Sequence, residues 1–274
     1  MLEFMELLKV IILGIVEGIT EWLPISSTGH MLLVDEMLQL NASAEYKEMF
    51  FYVIQLGAIL AVIVLFWKKM LPLKKDAAGQ VSVDQQTIST WCKVVVACIP
   101  GGVAAILFDD WIEAHMHTPF VIALMLIIYG IAFLVIERRG KTPRIREMEE
   151  IDYRTALYIG LFQVLSMIPG TSRSGATIVG ALLIGVSRVA AAEFTFFLAV
   201  PVMLGMSALK ILKFGLGFSA PELYMMLLGM AVAFVVSLLV IRFLMNYIKK
   251  HDFQIFGWYR IVLGAIVVLW AVLQ

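Results

Sequence analysis

The chain has 274 residues, of which 61% are hydrophobic and 15% charged, with a mean hydropathy of +0.93. An ordinary soluble domain carries roughly 45 to 50% apolar residues, so that class is excluded and an integral membrane protein is the starting point. Lysine plus arginine balance aspartate plus glutamate at 21 each, which argues against nucleic acid or an acidic polymer as a partner.

The chain opens Met1-Leu2-Glu3-Phe4-Met5-Glu6 and runs on without a basic start or a small-residue cleavage site, so a retained N-terminus is expected. A first apolar region, Leu7 to Leu40, is broken at Pro24-Ile25-Ser26-Ser27-Thr28-Gly29-His30. Three apolar stretches follow, Met49 to Trp67, Thr90 to Phe108 and Phe120 to Ile136, each close to the 20 or so residues that cross a bilayer. A second broken region, Ala156 to Val186, is interrupted at Pro169-Gly170-Thr171-Ser172-Arg173-Ser174-Gly175. Three more stretches close the chain, Phe194 to Leu212, Leu223 to Leu244 and Ile255 to Leu273. Lys210, Arg242 and Arg260 fall inside these stretches near their ends, where snorkelling to the interface is expected.

After each break only about ten apolar residues follow, the length of a re-entrant segment and too short for a span. The fold expected is therefore all-α and integral to the membrane, with six transmembrane helices plus two re-entrant helical hairpins. Laying Gly14 on Gly160 brings Glu17 onto Gln163 and, with one residue of slip, Pro24 onto Pro169. The segments after the hairpins match too, Glu48-Met49-Phe50-Phe51-Tyr52 against Glu193-Phe194-Thr195-Phe196-Phe197. One membrane domain then consists of two repeats, residues 1–148 and 149–274. Three spans per repeat is an odd number, so the second repeat enters from the opposite face, an inverted-topology repeat with its site at the midplane. Lys68, Lys69, Lys74 and Lys75, then Arg138, Arg139, Lys141, Arg144 and Arg146, then Lys249 and Lys250 all fall on one face, which the positive-inside rule makes cytoplasmic. Both termini, the mouth of the first hairpin and a loop from Asp109 to Thr118 are expected outside.

The charged and hydroxyl groups at the breaks carry the chemistry. Glu17 and Glu21 lie one helical turn apart on one face, a repulsive pair that needs a cation, a proton or a basic side chain beside it. A divalent cation such as Mg²⁺ or Ca²⁺ fits, because hard cations take carboxylate and phosphate oxygens together. The alternative is a protonated, purely structural carboxyl. Ser26, Ser27, Thr28, Gly29 and His30 open a short helix whose free N–H groups attract anions, although a hydroxyl there also serves as a simple N-cap. Ser27 and His30 are close enough across one turn for the imidazole to act on the hydroxyl. At the second break Arg173 sits between Ser172 and Ser174, either binding phosphate or acting as counter-ion to Glu17 or Glu21. Gly14 and Gly18 are read as a close-approach pair for another helix.

The stretch from Glu17 to His30, Glu-Gly-Ile-Thr-Glu-Trp-Leu-Pro-Ile-Ser-Ser-Thr-Gly-His, taken with Pro169-Gly170-Thr171-Ser172-Arg173-Ser174-Gly175-Ala176-Thr177, strongly resembles the bacterial undecaprenyl pyrophosphate phosphatases, also called bacitracin resistance proteins. The similarity covers essentially the whole chain. It implies removal of the terminal phosphate from undecaprenyl pyrophosphate to give the monophosphate carrier of peptidoglycan synthesis, a divalent-cation requirement, and a site facing the periplasm from the bacterial cytoplasmic membrane. By that resemblance Glu17, Glu21, Ser27, His30 and Arg173 form the catalytic site, and the Glu17 and Glu21 pair would hold the metal or orient His30. Ser26, Thr28, Gly29, Thr171, Ser172, Ser174 and Gly175 are then phosphate-binding residues. Ser27 attack assisted by His30 is favoured slightly over attack by His30 itself, and both stay open.

The rival reading is a transporter or flippase of polyprenyl phosphate, which would need binding groups but no nucleophile. The partners expected are the polyprenyl pyrophosphate lipid and the membrane, and pairing into a homodimer stays open. His115 and His117 read as a solvated loop, His251 as part of the basic patch beside Lys249 and Lys250, and Cys92 and Cys98 as inert. Trp67, Trp91, Trp111, Trp258 and Trp270 read as interface anchors, with Trp22 set apart at the first hairpin tip.

Overall fold

The computed structural model describes residues 4–75, 80–140, 142–215 and 217–273, without the side chains of Leu32 and Lys75. Met1, Leu2, Glu3, Lys141 and the Lys75 side chain, named above in the N-terminal and basic-loop expectations, lie outside the described residues. Ten α-helices make up about three quarters of the described residues. They are α1 (Phe4–Thr20), α2 (Ser27–Leu38), α3 (Ala44–Met70), α4 (Gln85–Met116), α5 (Pro119–Arg138), α6 (Tyr153–Val164), α7 (Arg173–Leu183), α8 (Arg188–Phe214), α9 (Ala220–Ile248) and α10 (Gln254–Leu273). A small antiparallel hairpin, β1 (Leu73–Lys75) and β2 (Val81–Val83), joins α3 to α4 with Lys74 opposite Ser82.

Six of these helices, α3, α4, α5, α8, α9 and α10, are long and apolar enough to cross a membrane. Each contains one of the six apolar stretches and extends beyond it, because polar caps start the helix before hydropathy begins. Ser43 caps α3 by accepting from Tyr46 N–H, Ser187 caps α8 from Ala190 N–H, and Ser219 with Glu222 forms a capping box on α9. α4 is the largest departure. It runs through Asp109 to Met116, where a loop was expected, and past Pro100, which cannot donate a hydrogen bond to the preceding turn. The acidic and histidine residues there are polar but have good enough helix propensity to prolong a turn already nucleated upstream.

Close glycine contacts set the packing. A Cβ on Gly14 would stand 2.9 Å from the carbonyl oxygen of Gly229, and one on Gly18 would stand 2.8 Å from Cβ of Val236, so α1 lies directly against α9. Gly130 and Gly257 face each other across α5 and α10, each Cβ position within 2.8 Å of the other's carbonyl oxygen. Helices approach this closely only through residues without side chains, which replaces the missing hydrophobic drive inside a membrane with dispersion contact. Outward faces stay apolar and exposed, as at Ile106, Leu212 and Leu239.

α3 and α8 run antiparallel, tied at both ends by ion pairs. Glu193 near the start of α8 binds Lys69 near the end of α3 at 2.8 Å, and Glu48 near the start of α3 binds Lys210 near the end of α8. Lys210 therefore does not snorkel. It is buried, paired with Glu48 and held 4.9 Å over the Tyr52 ring, because a neighbouring helix supplies the acid that water would otherwise replace. Arg242 is exposed, as a snorkelling residue would be.

Candidate active site

The two broken helix pairs, α1 with α2 and α6 with α7, meet inside the bundle. α1 ends at Thr20, whose hydroxyl bonds back to Val16 O at 2.8 Å. Trp22 then turns fully inward and sets its ring edge-on to Phe196, with centroids 5.3 Å apart, which fixes the tip of the first break. At the second, α6 tightens through a 3-10 turn at Leu165–Met167 before Gly170 takes a positive φ of 91°. A Cβ at Gly170 would lie 2.5 Å from Ile122 O, so only glycine fits there.

Each short helix is started by a serine in a left-handed backbone conformation. Ser26 has φ 76° and accepts from Gly29 N–H at 3.4 Å, and Ser172 has φ 70° and accepts from Gly175 N–H at 3.2 Å. Positive φ costs a non-glycine residue on the order of 1 to 3 kcal/mol, and such strain concentrates at functional sites. The hydroxyl returns part of that cost as an N-cap.

Glu21 joins the two breaks. Its Oε2 accepts from Ser27 Oγ at 2.7 Å, its Oε1 accepts from Arg173 Nη2 at 2.9 Å, and its backbone oxygen accepts from Ser174 Oγ at 3.2 Å. Arg173 also donates to Thr195 O at 3.3 Å, and Ser172 and Ser174 share a hydrogen bond of 3.1 Å. Arg173 is thus the positive partner that the Glu17 and Glu21 pair required. It engages Glu21 alone; Glu17 is 1% exposed and its Oε1 has no hydrogen-bond partner. Gln163 Oε1, Thr171 Oγ1 and Trp22 Nε1 are likewise buried without a partner. Four of the five such atoms among the described residues belong to the breaks or their flanks. An unsatisfied buried polar group costs about 1 to 3 kcal/mol, so this concentration puts a stability cost at the two breaks and their flanks.

His30 does not contact Ser27. Its Nδ1 bonds to Ser26 O at 2.7 Å and its Nε2 to Tyr259 Oη at 2.7 Å, while the Ser27 hydroxyl faces Glu21. One turn of helix separates the two side chains, and a carboxylate in the turn after α1 claims the hydroxyl first. Thr28 is exposed and Gly29 buried at the same helix start.

Arg260 corrects the sequence reading most. It is fully buried and does not snorkel. Its guanidinium donates to Pro24 O at 3.1 Å in the first break, to Gly170 O at 2.8 Å and Thr171 O at 2.9 Å in the second, and to Leu126 O at 3.5 Å, and it lies 5.4 Å from the Tyr129 ring centroid. Gly175 leaves room for it, since a Cβ there would stand 3.0 Å from Arg260 Nη1. A near-terminal position hid this residue. The available signal was an arginine flanked by apolar residues within a span, a functional hypothesis by default. Tyr259 and Thr195 carried no comparable sequence signal.

His115 is exposed and bonds to Trp111 O, His251 is exposed and bonds to Tyr247 O, and no group of three or more His, Cys, Asp or Glu residues that could hold a metal occurs among the described residues. Cys92 and Cys98 are free thiols, Cys92 exposed on α4.

Comparison with known proteins shows what the chain as a whole is similar to. The family described as bacitracin resistance protein BacA matches residues 10–266. A protein of Enterococcus faecalis called undecaprenyl-diphosphatase is 66% identical over 270 residues, covering 98% of each chain. Proteins of the same name from Desulfitobacterium hafniense and Lachnoclostridium phytofermentans are 61% and 59% identical, each over at least 97% of both chains.

Proposed function

Because the chain belongs to the bacitracin resistance protein family, we propose that it is an undecaprenyl-diphosphatase whose reaction centre is the Ser27, Glu21 and Arg173 node. It hydrolyses the lipid pyrophosphate to undecaprenyl phosphate and inorganic phosphate, recycling the carrier lipid of the cell wall. The observation that carries the assignment of roles is the Ser27 hydroxyl donating to a carboxylate whose other oxygen holds an arginine from the opposite break.

In the mechanism we favour, Ser27 Oγ attacks the terminal phosphorus while Glu21 Oε2 takes the hydroxyl proton. The bond from that phosphorus to the bridging oxygen breaks, and its electron pair leaves on the lipid monophosphate. Water then attacks the phosphoserine and gives a proton to His30 Nε2, the P–Oγ bond breaks and phosphate departs, Ser27 Oγ recovers its proton from Glu21, and His30 releases its extra proton to the departing phosphate or to water, which restores the neutral ring. Arg173 and the N–H groups opening α2 and α7 face the charge that spreads over the transferring phosphoryl oxygens. Glu21 thereby takes the base role first expected of His30 in the attack step. Attack by His30 itself remains the competing route, and rapid-quench trapping of phosphate on His30 rather than Ser27 would replace our choice.

A divalent cation fits the residues present. Glu17 offers an unpartnered buried oxygen one turn from Glu21, and Mg²⁺ is commonly held by one or two carboxylates together with substrate phosphates rather than by an all-protein cage. Glu17 and Glu21 would hold it, and when bound it would neutralise charge on the diphosphate.

We read the architecture as an inverted repeat with two re-entrant hairpins. The antiparallel α3 and α8 with exchanged Glu and Lys pairs support it, as do the twin left-handed serines. So does the contact pattern, since α1 packs on α9 as α6 packs on α4. With the basic loop residues inside, the first hairpin enters from the periplasmic face and the second from the cytoplasmic face, and we take the site between them to face the periplasm. The same internal symmetry favours a flippase as the second reading.

The deciding experiment is phosphate release from undecaprenyl pyrophosphate by the purified protein in detergent, with and without chelator, beside Ser27→Ala, His30→Ala and Arg173→Ala. Cation-dependent release that is lost in the variants supports the phosphatase and its site. Folded wild type that binds the lipid and releases nothing turns the assignment to the flippase.

A further inference from the structure

Tyr259 lies on α10, outside both breaks, yet its hydroxyl stands 2.7 Å from His30 Nε2 with the two ring planes within 6° of each other. The bond directions follow from chemistry. Ser26 O can only accept, so His30 Nδ1 carries the proton; Nε2 of the neutral ring is then an acceptor, and the Tyr259 hydroxyl donates. A hydrogen bond at each nitrogen fixes the imidazole, because a half-turn about its Cβ–Cγ bond would break both. The anchor on the other side of the ring is Ser26, whose left-handed backbone is itself strained. The next residue, Arg260, reaches Pro24 O in the same break, so two successive positions of α10 grip the first break from one side.

We propose that Tyr259 is a positioning residue for the phosphatase reaction, acting through His30. It holds the imidazole in the Nδ1–H tautomer with Nε2 facing the Tyr259 hydroxyl. Tyr259 is 45% exposed, and the donor that replaces its hydroxyl at Nε2 when substrate is bound is the attacking water, whose O–H donates to the same nitrogen. A second-sphere donor that fixes which nitrogen is basic is a recurrent way of preparing histidine for proton transfer. This role rests on the phosphatase reading and on His30 receiving a proton in the second step.

The test is a double-mutant cycle on phosphate release from undecaprenyl pyrophosphate, with wild type, Tyr259→Phe, His30→Gln and the double variant. Tyr259→Phe is expected to lower kcat about fivefold to tenfold, the scale of one neutral hydrogen bond, with KM unchanged. On the His30→Gln background the same change should cost nothing further. An unaltered kcat in Tyr259→Phe, or the same loss on both backgrounds, would overturn the role. Wild-type release in the same series tests the phosphatase reading separately. Nitrogen-15 NMR of His30 gives a readout independent of turnover: Nδ1 protonated and an Nε2 signal that moves downfield in Tyr259→Phe supports the proposal, and a protonated Nε2 in the neutral wild-type ring refutes it.

Discussion

The two breaks share a backbone and divide the chemistry. Each has a proline before the turn, a left-handed serine as N-cap, a glycine three residues after that cap, and a short helix pointing its N–H groups into the bundle. Their side chains differ. The first carries two carboxyls, a serine hydroxyl bonded to one of them, and an imidazole; the second carries an arginine, and the position matching Glu17 is Gln163. The shared backbone sets two capped helix starts beside one another, with the carboxyls and imidazole on one side and the guanidinium on the other. A site made from two identical halves would face itself with like charges, and this division gives Glu21 a partner within 2.9 Å.

If the division is what makes the site catalytic, removing one group from each break should cost heavily for different reasons. Ser27→Ala removes the proposed nucleophile and should lower kcat by at least about 10³-fold, read as phosphate release. Arg173→Ala should cost about 10² to 10³-fold, as for the loss of a charge-stabilising donor, with a further penalty from leaving Glu21 unpaired. Equal residual activity in Ser27→Ala and wild type would show that the first break only binds.

Arg260 tests whether the two breaks act as one body. It donates to carbonyls of both, so Arg260→Met leaves several buried oxygens without a donor and should lower unfolding stability by about 3 kcal/mol. Thermal unfolding in detergent reads this directly. Arg260→Lys keeps the charge but cannot span three carbonyls with a planar fork, so it should recover only part of the loss. Full recovery by lysine would mean that charge, not the bridge, is what the breaks require.

Much of this was legible from residue order. Hydropathy located six long helices because each must present about 20 apolar residues to lipid, and the polar interruptions located both breaks for the same reason. Glu21 and Arg173 were singled out by the cost of charge at depth, and they do meet. What escaped was contact between distant elements. The bond from Ser27 to Glu21 depends on how the turn at Trp22 folds back, and Arg260 reached the site from a helix 86 residues beyond Ser174 by way of the glycine-lined faces of α5 and α10. Local spacing suggested Ser27 with His30, and tertiary packing gave each a different partner.

The finest comparison is between the two strained serines, where the cap and the strain oppose each other. Glycine at position 26 or 172 removes the hydroxyl but accepts positive φ freely, and glycine is itself a tolerable N-cap within a few tenths of a kcal/mol. Ser172→Gly should therefore be neutral or stabilising by up to about 1 kcal/mol, whereas Ser172→Ala keeps the strain, loses the cap and should destabilise by about 1 kcal/mol. At Ser26 the stability changes should match, because the backbone geometry is nearly the same, with φ 76° against 70°. Activity should not match. Ser26 O anchors His30 Nδ1, so a glycine that loosens this turn should reduce kcat at the first break while its counterpart leaves it nearly intact. Parallel losses of activity at both positions would mean that the cradles contribute alike, and the chemical division would then lie entirely in Glu21, Ser27 and Arg173.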